Sequence, residues 1–159
     1  MSSPSDVTDP LLLQNQLCHS LYSASNAVVR AYRPLLEPLG LTYPQYLVML
    51  ALWEVDEVAI KHLVTKTRLD SGSLTPILKR LEQKGLVQRR KSEQDERQWL
   101  MCLTPAGSDL RKQAEDIPHR LWCMADMELA EARALKAAAE QLYRQISERE
   151  GEPGGHGMP

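Results

Sequence analysis

Between Leu11 and about Arg33 the residues Leu13, Leu17, Leu21, Ala24 and Val28 recur at three- and four-residue steps, the spacing of one face of an amphipathic helix. Pro34 is expected to end it. The next stretch, LLEPLGLTYPQY, holds Pro38, Gly40 and Pro44 and reads as a turn, with Thr42 placed as the cap of a buried helix running to about Trp53. Residues 57–66 predict a short helix with Val58, Ile60 and Leu63 or Val64 inward. A clearer helix starts at Asp70 or Ser71 and ends near Lys84, stopped by Gly85, which adopts the left-handed conformation most cheaply. LVQRR and RQWLMCLT each alternate apolar and polar positions around the polar turn SEQDE, so they predict a β-hairpin. From Thr104 and Pro105 the pattern is helical to about Met124, with a bend expected at Pro118. A last helix carries Leu129, Ala132, Leu135, Ala139 and Leu142 on one stripe.

The expected fold is therefore mainly α with a small β-hairpin wing: a winged helix-turn-helix held between N- and C-terminal helices. Residues 1–9 are expected to be flexible, 10–148 to form a single winged-helix domain, and 149–159 to be a disordered tail. Within that domain, about 55–104 form the lobe that bears the helix-turn-helix and wing, and about 10–33 and 105–148 the flanking helices. At 159 residues and 43% hydrophobic, the chain can bury its own core without a metal or disulfide staple. Its longest apolar run, Tyr46 to Trp53, is far short of the ~20 residues of a membrane span. The polar start MSSPSDVTDP does not read as a secretion signal, so a cytoplasmic protein with free thiols is expected.

Charge distribution changes the picture that net charge suggests. The chain as a whole is at −2, yet residues 61–97 hold ten Lys or Arg against five acids, or +5, leaving −7 elsewhere. That asymmetry predicts a basic binding face on an acidic body. On the helix from Asp70 to Lys84, at about 100° per residue, Leu74, Ile77, Leu78 and Leu81 share one face. The other presents Gly72, Thr75, Pro76, Lys79 and Gln83, flanked by Ser71, Ser73 and Arg80. Small residues let a helix approach a duplex, hydroxyls bond bases or phosphates, and cations neutralise phosphates. The hairpin adds Arg89, Arg90 and Lys91 on one strand and Asp95, Glu96 and Arg97 at its tip. There Arg97 can enter a minor groove and Asp95 is placed to orient its guanidinium. Alone, each basic stretch reads as a solvated face; their coincidence with a helix-turn-helix and wing points to double-stranded DNA.

Cys18 lies on the first helix with Tyr22 about +40° and Tyr32 about −40° around its axis, so the three share a face. Phenolic hydroxyls that donate to a thiolate favour the reactive form. A packed core cysteine is the plainer reading of Cys18 from its neighbours Leu17 and Leu21 alone. Cys102 alternates with Met101 and Leu103 and reads as structural. His119 and Cys123 are four residues apart, but two ligands do not make a metal site. No Gly-rich phosphate loop, nucleophile elbow or paired catalytic carboxylate is present, so no cofactor is expected.

The runs LTYPQYLVMLALWE, DSGSLTP, KRLE and DER followed by LT resemble the MarR family of winged-helix regulators over about residues 10–148. LCHSLYSASNAVVRAYRPLL, with Cys18 and its tyrosines, is similar to the organic-hydroperoxide-sensing (OhrR) branch. His19 departs from the aromatic expected there. The resemblance implies a homodimeric repressor, not an enzyme, with about 55–104 as its DNA-binding lobe and about 10–33 and 105–148 as its dimerisation helices, that binds a pseudo-palindromic operator and leaves it when Cys18 is oxidised by an organic hydroperoxide. It implies Tyr22, Tyr32 and Tyr43 as thiolate-supporting groups and Cys123 as the resolving thiol of a two-cysteine sensor. A regulator responding to a phenolic ligand and a thiol peroxidase are the alternatives. Because fourteen residues of helix separate Cys18 from Tyr32 by about 21 Å, the two cannot meet within one chain. They would meet if two first helices crossed antiparallel near Ser25, within the small segment Ala24 to Ala27.

Overall fold

A computed structural model describes residues 9–150. The expected flexible N-terminus and disordered tail lie outside this range, apart from Asp9 and the end of the last helix. Helices α1 (Leu17–Leu36) and α2 (Tyr43–Glu54) are followed by strand β1 (Val58–Ala59), α3 (Ile60–Thr67) and α4 (Ser71–Gln83). Strands β2 (Val87–Lys91) and β3 (Trp99–Leu103), then α5 (Pro105–Ala114), α6 (Ile117–Ala125) and α7 (Leu129–Glu150), complete the order. The chain clusters into two compact units, residues 1–121 and 122–159. No helix of the described residues is long and apolar enough to cross a membrane.

The core of the first unit is built from α1's last turn, α2, α3, α4 and the sheet. Leu36, Tyr46, Val48, Met49, Leu52, Leu63, Leu74, Leu78, Leu81 and Met101 are all buried in it. α2 begins at a complete capping box: Thr42 Oγ1 accepts from the Gln45 N–H, and Gln45 Oε1 accepts from the Thr42 N–H. α4 begins at Asp70 and closes at Lys84, with Gly85 at φ +69° turning the chain into β2, as the sequence predicts.

Four expectations need correction. Pro34 does not end α1, which runs on to Leu36. A proline inside a helix costs roughly 3 kcal/mol, but burying Leu35 and Leu36, 4% and 1% exposed, returns about 2 kcal/mol or more each. Val58 and Ala59 are not helical; they form a third strand, antiparallel to β3, with Val58 opposite Met101, so the sheet order is β1-β3-β2. Asp56 Oδ1 makes that pairing possible by accepting from the Leu103 N–H at 2.8 Å and the Glu57 N–H at 2.7 Å. Glu57 turns at φ +58° into the strand. The helix expected from Thr104 to Met124 is broken rather than bent. α5 stops at Ala114, and Pro118 stands second in α6, where its missing N–H costs nothing and its ring avoids the preceding turn.

The fourth concerns the start of the first helix, which begins at Leu17 rather than near Leu11, so that Leu17, Leu21, Ala24 and Val28 share the stripe without Leu13. Leu13 and Leu17 are both 64% exposed, and Leu21 and Val28 are open as well. Leu13 itself sits in a separate 3₁₀ turn, Leu13–Asn15. In the second unit, Leu129 and Leu135 on α7 are likewise open, while Ala132 is buried.

Candidate DNA interface and thiol site

The apolar face of α4 seats it on the core: Leu74, Leu78 and Leu81 are fully buried, and Ile77 is half-buried. Ser71, Gly72, Ser73, Thr75, Pro76, Lys79 and Arg80 are exposed. The hydroxyls are less available than their exposure suggests. Ser73 donates its N–H to Asp70 Oδ1 at 2.9 Å and its hydroxyl to Asp70 Oδ2 at 2.7 Å, and Thr75 donates to the Ser71 carbonyl at 2.9 Å. They offer an incoming base or phosphate their lone pairs, not their protons. The Ser73 contacts hold the Asp70 carboxyl below its usual range, so it stays anionic at the helix start. A phosphate approaching this helix start would meet a cap already filled by a carboxylate.

In the wing, β2 and β3 pair in continuous register from Val87 opposite Leu103 to Lys91 opposite Trp99. Its cations divide into two groups. Arg89 is spent on Glu82 of α4 at 3.3 Å, and Arg90 on Glu57 at 2.6 Å. Lys91 lies 5.6 Å over the half-exposed Trp99 ring, next to the turn that joins the two strands. Lys79, Arg80 and Arg97 carry no ion pair among the described residues, and these with Lys91 form the basic face. The expected Asp95 contact to the Arg97 guanidinium is corrected: Asp95 Oδ1 accepts the Arg97 backbone N–H at 3.0 Å, and its carbonyl accepts from Gln98 at 2.9 Å. Local turn geometry takes the carboxylate first, and Ser92 Oγ supports the same turn by accepting from the N–H groups of Gln94 and Asp95.

The thiol candidates are dispersed. Cys18 and Tyr22 stand exposed on the first half of α1. Tyr32, on the same helix, meets Tyr43 of α2 with ring centroids 4.7 Å apart, and both pack on Tyr46 at 5.7 and 6.5 Å. Sequence reasoning misses Tyr46, because it sits in the apolar run of α2 and looks like core. Burial, reinforced by Tyr43 and Tyr46, pushes the Tyr32 phenol up to about 12, and burial raises Tyr43 and Tyr46 as well. All three therefore stay protonated donors at neutral pH. Tyr46 continues edge-on to Trp53, whose indole N–H donates to the Gly107 carbonyl at 2.9 Å. Beside them a cleft of about 370 Å³ is lined by Tyr46, Leu50, Trp53 and Arg111. Cys102 is buried, which raises its thiol and keeps it unreactive. Cys123 is exposed on α6.

The model of the family described as transcriptional regulator SarA/Rot matches residues 30–116, from mid-α1 through α5. The organic hydroperoxide resistance transcriptional regulator of Bacillus subtilis (strain 168) is 41% identical over 141 residues, 89% of this chain and 96% of that protein. The chain belongs to the MarR/SarA winged-helix transcriptional regulators. Among solved regulators of this family, AbfR of Staphylococcus epidermidis is 37% identical with a TM-score of 0.71, covering 86% of this chain and 94% of that one. AbfR has been solved reduced on DNA, at 31% identity and a TM-score of 0.71 over 88% of this chain and 96% of that one. It has also been solved overoxidised on DNA and in a disulfide form. MarR from E. coli, 23% identical with a TM-score of 0.62 over 80% of this chain and 96% of that one, shares the fold.

Proposed function

We propose that this MarR/SarA regulator is a cytoplasmic, homodimeric repressor that binds a pseudo-palindromic operator and releases it when an organic hydroperoxide oxidises Cys18. The observation that carries the reading is an open thiol on a helix that also supplies Tyr32 to a cluster of protonated phenols, in a chain whose α4 and wing present unpaired cations. The kinship with a hydroperoxide resistance regulator, and with AbfR in its several redox forms, supports it.

In the reaction the Cys18 thiolate sulfur attacks the peroxide O–O bond. An S–O bond forms as the O–O bond breaks; sulfur is oxidised by two electrons, and the leaving alkoxide takes a proton to become an alcohol. Condensation of the sulfenic acid with a second thiol, of Cys123 or of a small molecule, then yields a disulfide and water. The phenols of Tyr32 and Tyr43, and Tyr22 beside Cys18, are the donors that stabilise the thiolate. The cluster and the thiol come together across two subunits, because the uncovered Leu13, Leu17, Leu21 and Val28 provide an apolar stripe for a second copy of α1. α7, with its open Leu129 and Leu135, is a second candidate dimerisation helix. Ser71, Ser73, Thr75, Pro76, Lys79 and Arg80 enter the major groove, and Arg97 the minor groove.

The test uses a duplex selected from a random library on the reduced protein, titrated before and after cumene hydroperoxide. The wild type should release the duplex and Cys18→Ser should retain it. Release by Cys18→Ser to the same extent sinks the reading.

A further inference from the structure

We propose that Lys84 is the positioning residue that couples the tyrosine cluster to the recognition helix. The inference rests on the reading of α4 as the DNA-binding element. Lys84 is the C-cap of α4: its backbone N–H donates to the Arg80 carbonyl and that of the next residue, Gly85, to the Glu82 carbonyl, so its main chain moves with the helix end. Its ammonium leaves that helix altogether. It donates to the Gly40 carbonyl and, at 3.0 Å, to Gln45 Oε1.

Gln45 is a buried polar side chain, 3% exposed, and the same Oε1 accepts the Thr42 N–H at 3.2 Å. Lys84 is thus a third member of the capping box that starts α2. Its two acceptors lie on either side of Tyr43, the first residue of α2, whose ring meets Tyr32 at 4.7 Å. A shift of Tyr43 that turns the first turn of α2 carries Thr42 and Gln45 with it. The ammonium passes that displacement to the end of α4.

Apolar packing of Leu74, Leu78 and Leu81 also joins α4 to the core, but burial is non-directional and permits a helix to slide or roll. Hydrogen bonds with fixed acceptors do not. The clamp sets the axial position of α4, and the leucines set its depth. Lys84 lies at the end of the helix, away from Ser71, Thr75 and Lys79, so its role is separate from DNA contact.

The experiment is a double-mutant cycle on the reduced protein with the selected duplex and no peroxide. Tyr43→Leu removes the ring contact and keeps apolar bulk; Lys84→Met removes the ammonium and keeps the stem. Tyr43→Leu should weaken binding about tenfold in the wild-type background and leave it nearly unchanged in Lys84→Met. Tyr32→Leu, which breaks the same ring pair from α1, should behave alike and replaces Tyr43→Leu if that variant does not fold. Lys84→Arg should restore part of the coupling. An equal factor in both backgrounds, including no change in either, overturns the proposal. Because no oxidation is involved, a wild type that keeps its duplex after cumene hydroperoxide defeats the redox reading alone, while the cycle still decides the clamp.

Discussion

Arg89 Nε lies 3.3 Å from Glu82 Oε1, so the first strand of the wing is pinned to the last turn of α4. The pair is half-exposed and worth about 1 kcal/mol or less to folding. Its value is geometric: it fixes the angle between the two elements proposed to reach DNA, and it withdraws one cation from that face.

Two kinds of basic residue should therefore be separable by salt. Lys79→Ala and Arg97→Ala each remove a proposed phosphate contact and should lower the slope of log affinity against log salt by about 0.9 per phosphate lost. Arg89→Ala should weaken binding with the slope unchanged, because it alters position and not counterion release. Titrations of the selected duplex at several salt concentrations give the slopes. An Arg89→Ala slope that falls as far as that of Arg97→Ala would return Arg89 to the contact set.

Gly107 has the tightest surroundings of the described glycines. A Cβ there would stand 2.0 Å from the Leu86 carbonyl oxygen, which already accepts the Thr104 N–H, while the Gly107 carbonyl holds the Trp53 indole. No flexible side chain can yield. Gly107→Ala should destabilise the protein by about 3 kcal/mol, read as an earlier urea midpoint with an unchanged slope. Gly72→Ala, whose nearest contact is Asp70 Oδ1 at 3.1 Å, should be far milder.

The tyrosine cluster makes alkaline stability a probe of burial. The folded pKa of Tyr32, about 12, lies above its ordinary value of 10.0, so the native state holds this proton more tightly than the unfolded chain. Its contribution is present in full below pH 10 and is lost as pH rises toward 12. Denaturation midpoints measured across this window should fall, and Tyr32→Phe should flatten the fall. A Tyr32→Phe profile as steep as the wild type's places the titrating group elsewhere.

Local signals make much of this fold legible. Thr42, Asp70, Thr104 and Gly85 announce helix ends through bonds to their own neighbours, and the hairpin alternation needs only two adjacent segments. β1 is not legible because its two residues are strand only through Met101 and Leu100, more than forty positions away. The charged residues show the same division. Sequence marks Arg89, Arg90 and Asp95 as chemistry, but only the folded chain sets Glu82, Glu57 and the Arg97 N–H beside them. Tyr46 and Lys84 escape notice because a core tyrosine and a clamping lysine look like any apolar or solvated position until the turn at Gly40 folds against them.

In the proposed dimer the Tyr32 that serves Cys18 belongs to the other subunit. Both residues lie on α1, a continuous helix from Leu17 to Leu36, so fourteen residues separate them by about 21 Å of helical rise and they cannot touch within one chain. Each is seven residues from Ser25, and an antiparallel crossing there places Cys18 of one subunit beside Tyr32 of the other. Heterodimers pairing a Cys18→Ser subunit with a Tyr32→Phe subunit separate the two geometries. Across the interface, one site loses sulfur and hydroxyl together, while the other keeps both and should react with cumene hydroperoxide at the wild-type rate. Within one chain, the remaining Cys18 would share its helix with the Tyr32→Phe substitution, and the heterodimer would react as slowly as a Tyr32→Phe homodimer. Single-turnover rates followed by mass spectrometry of the Cys18 peptide decide between them, and the slow outcome removes the cross-subunit site.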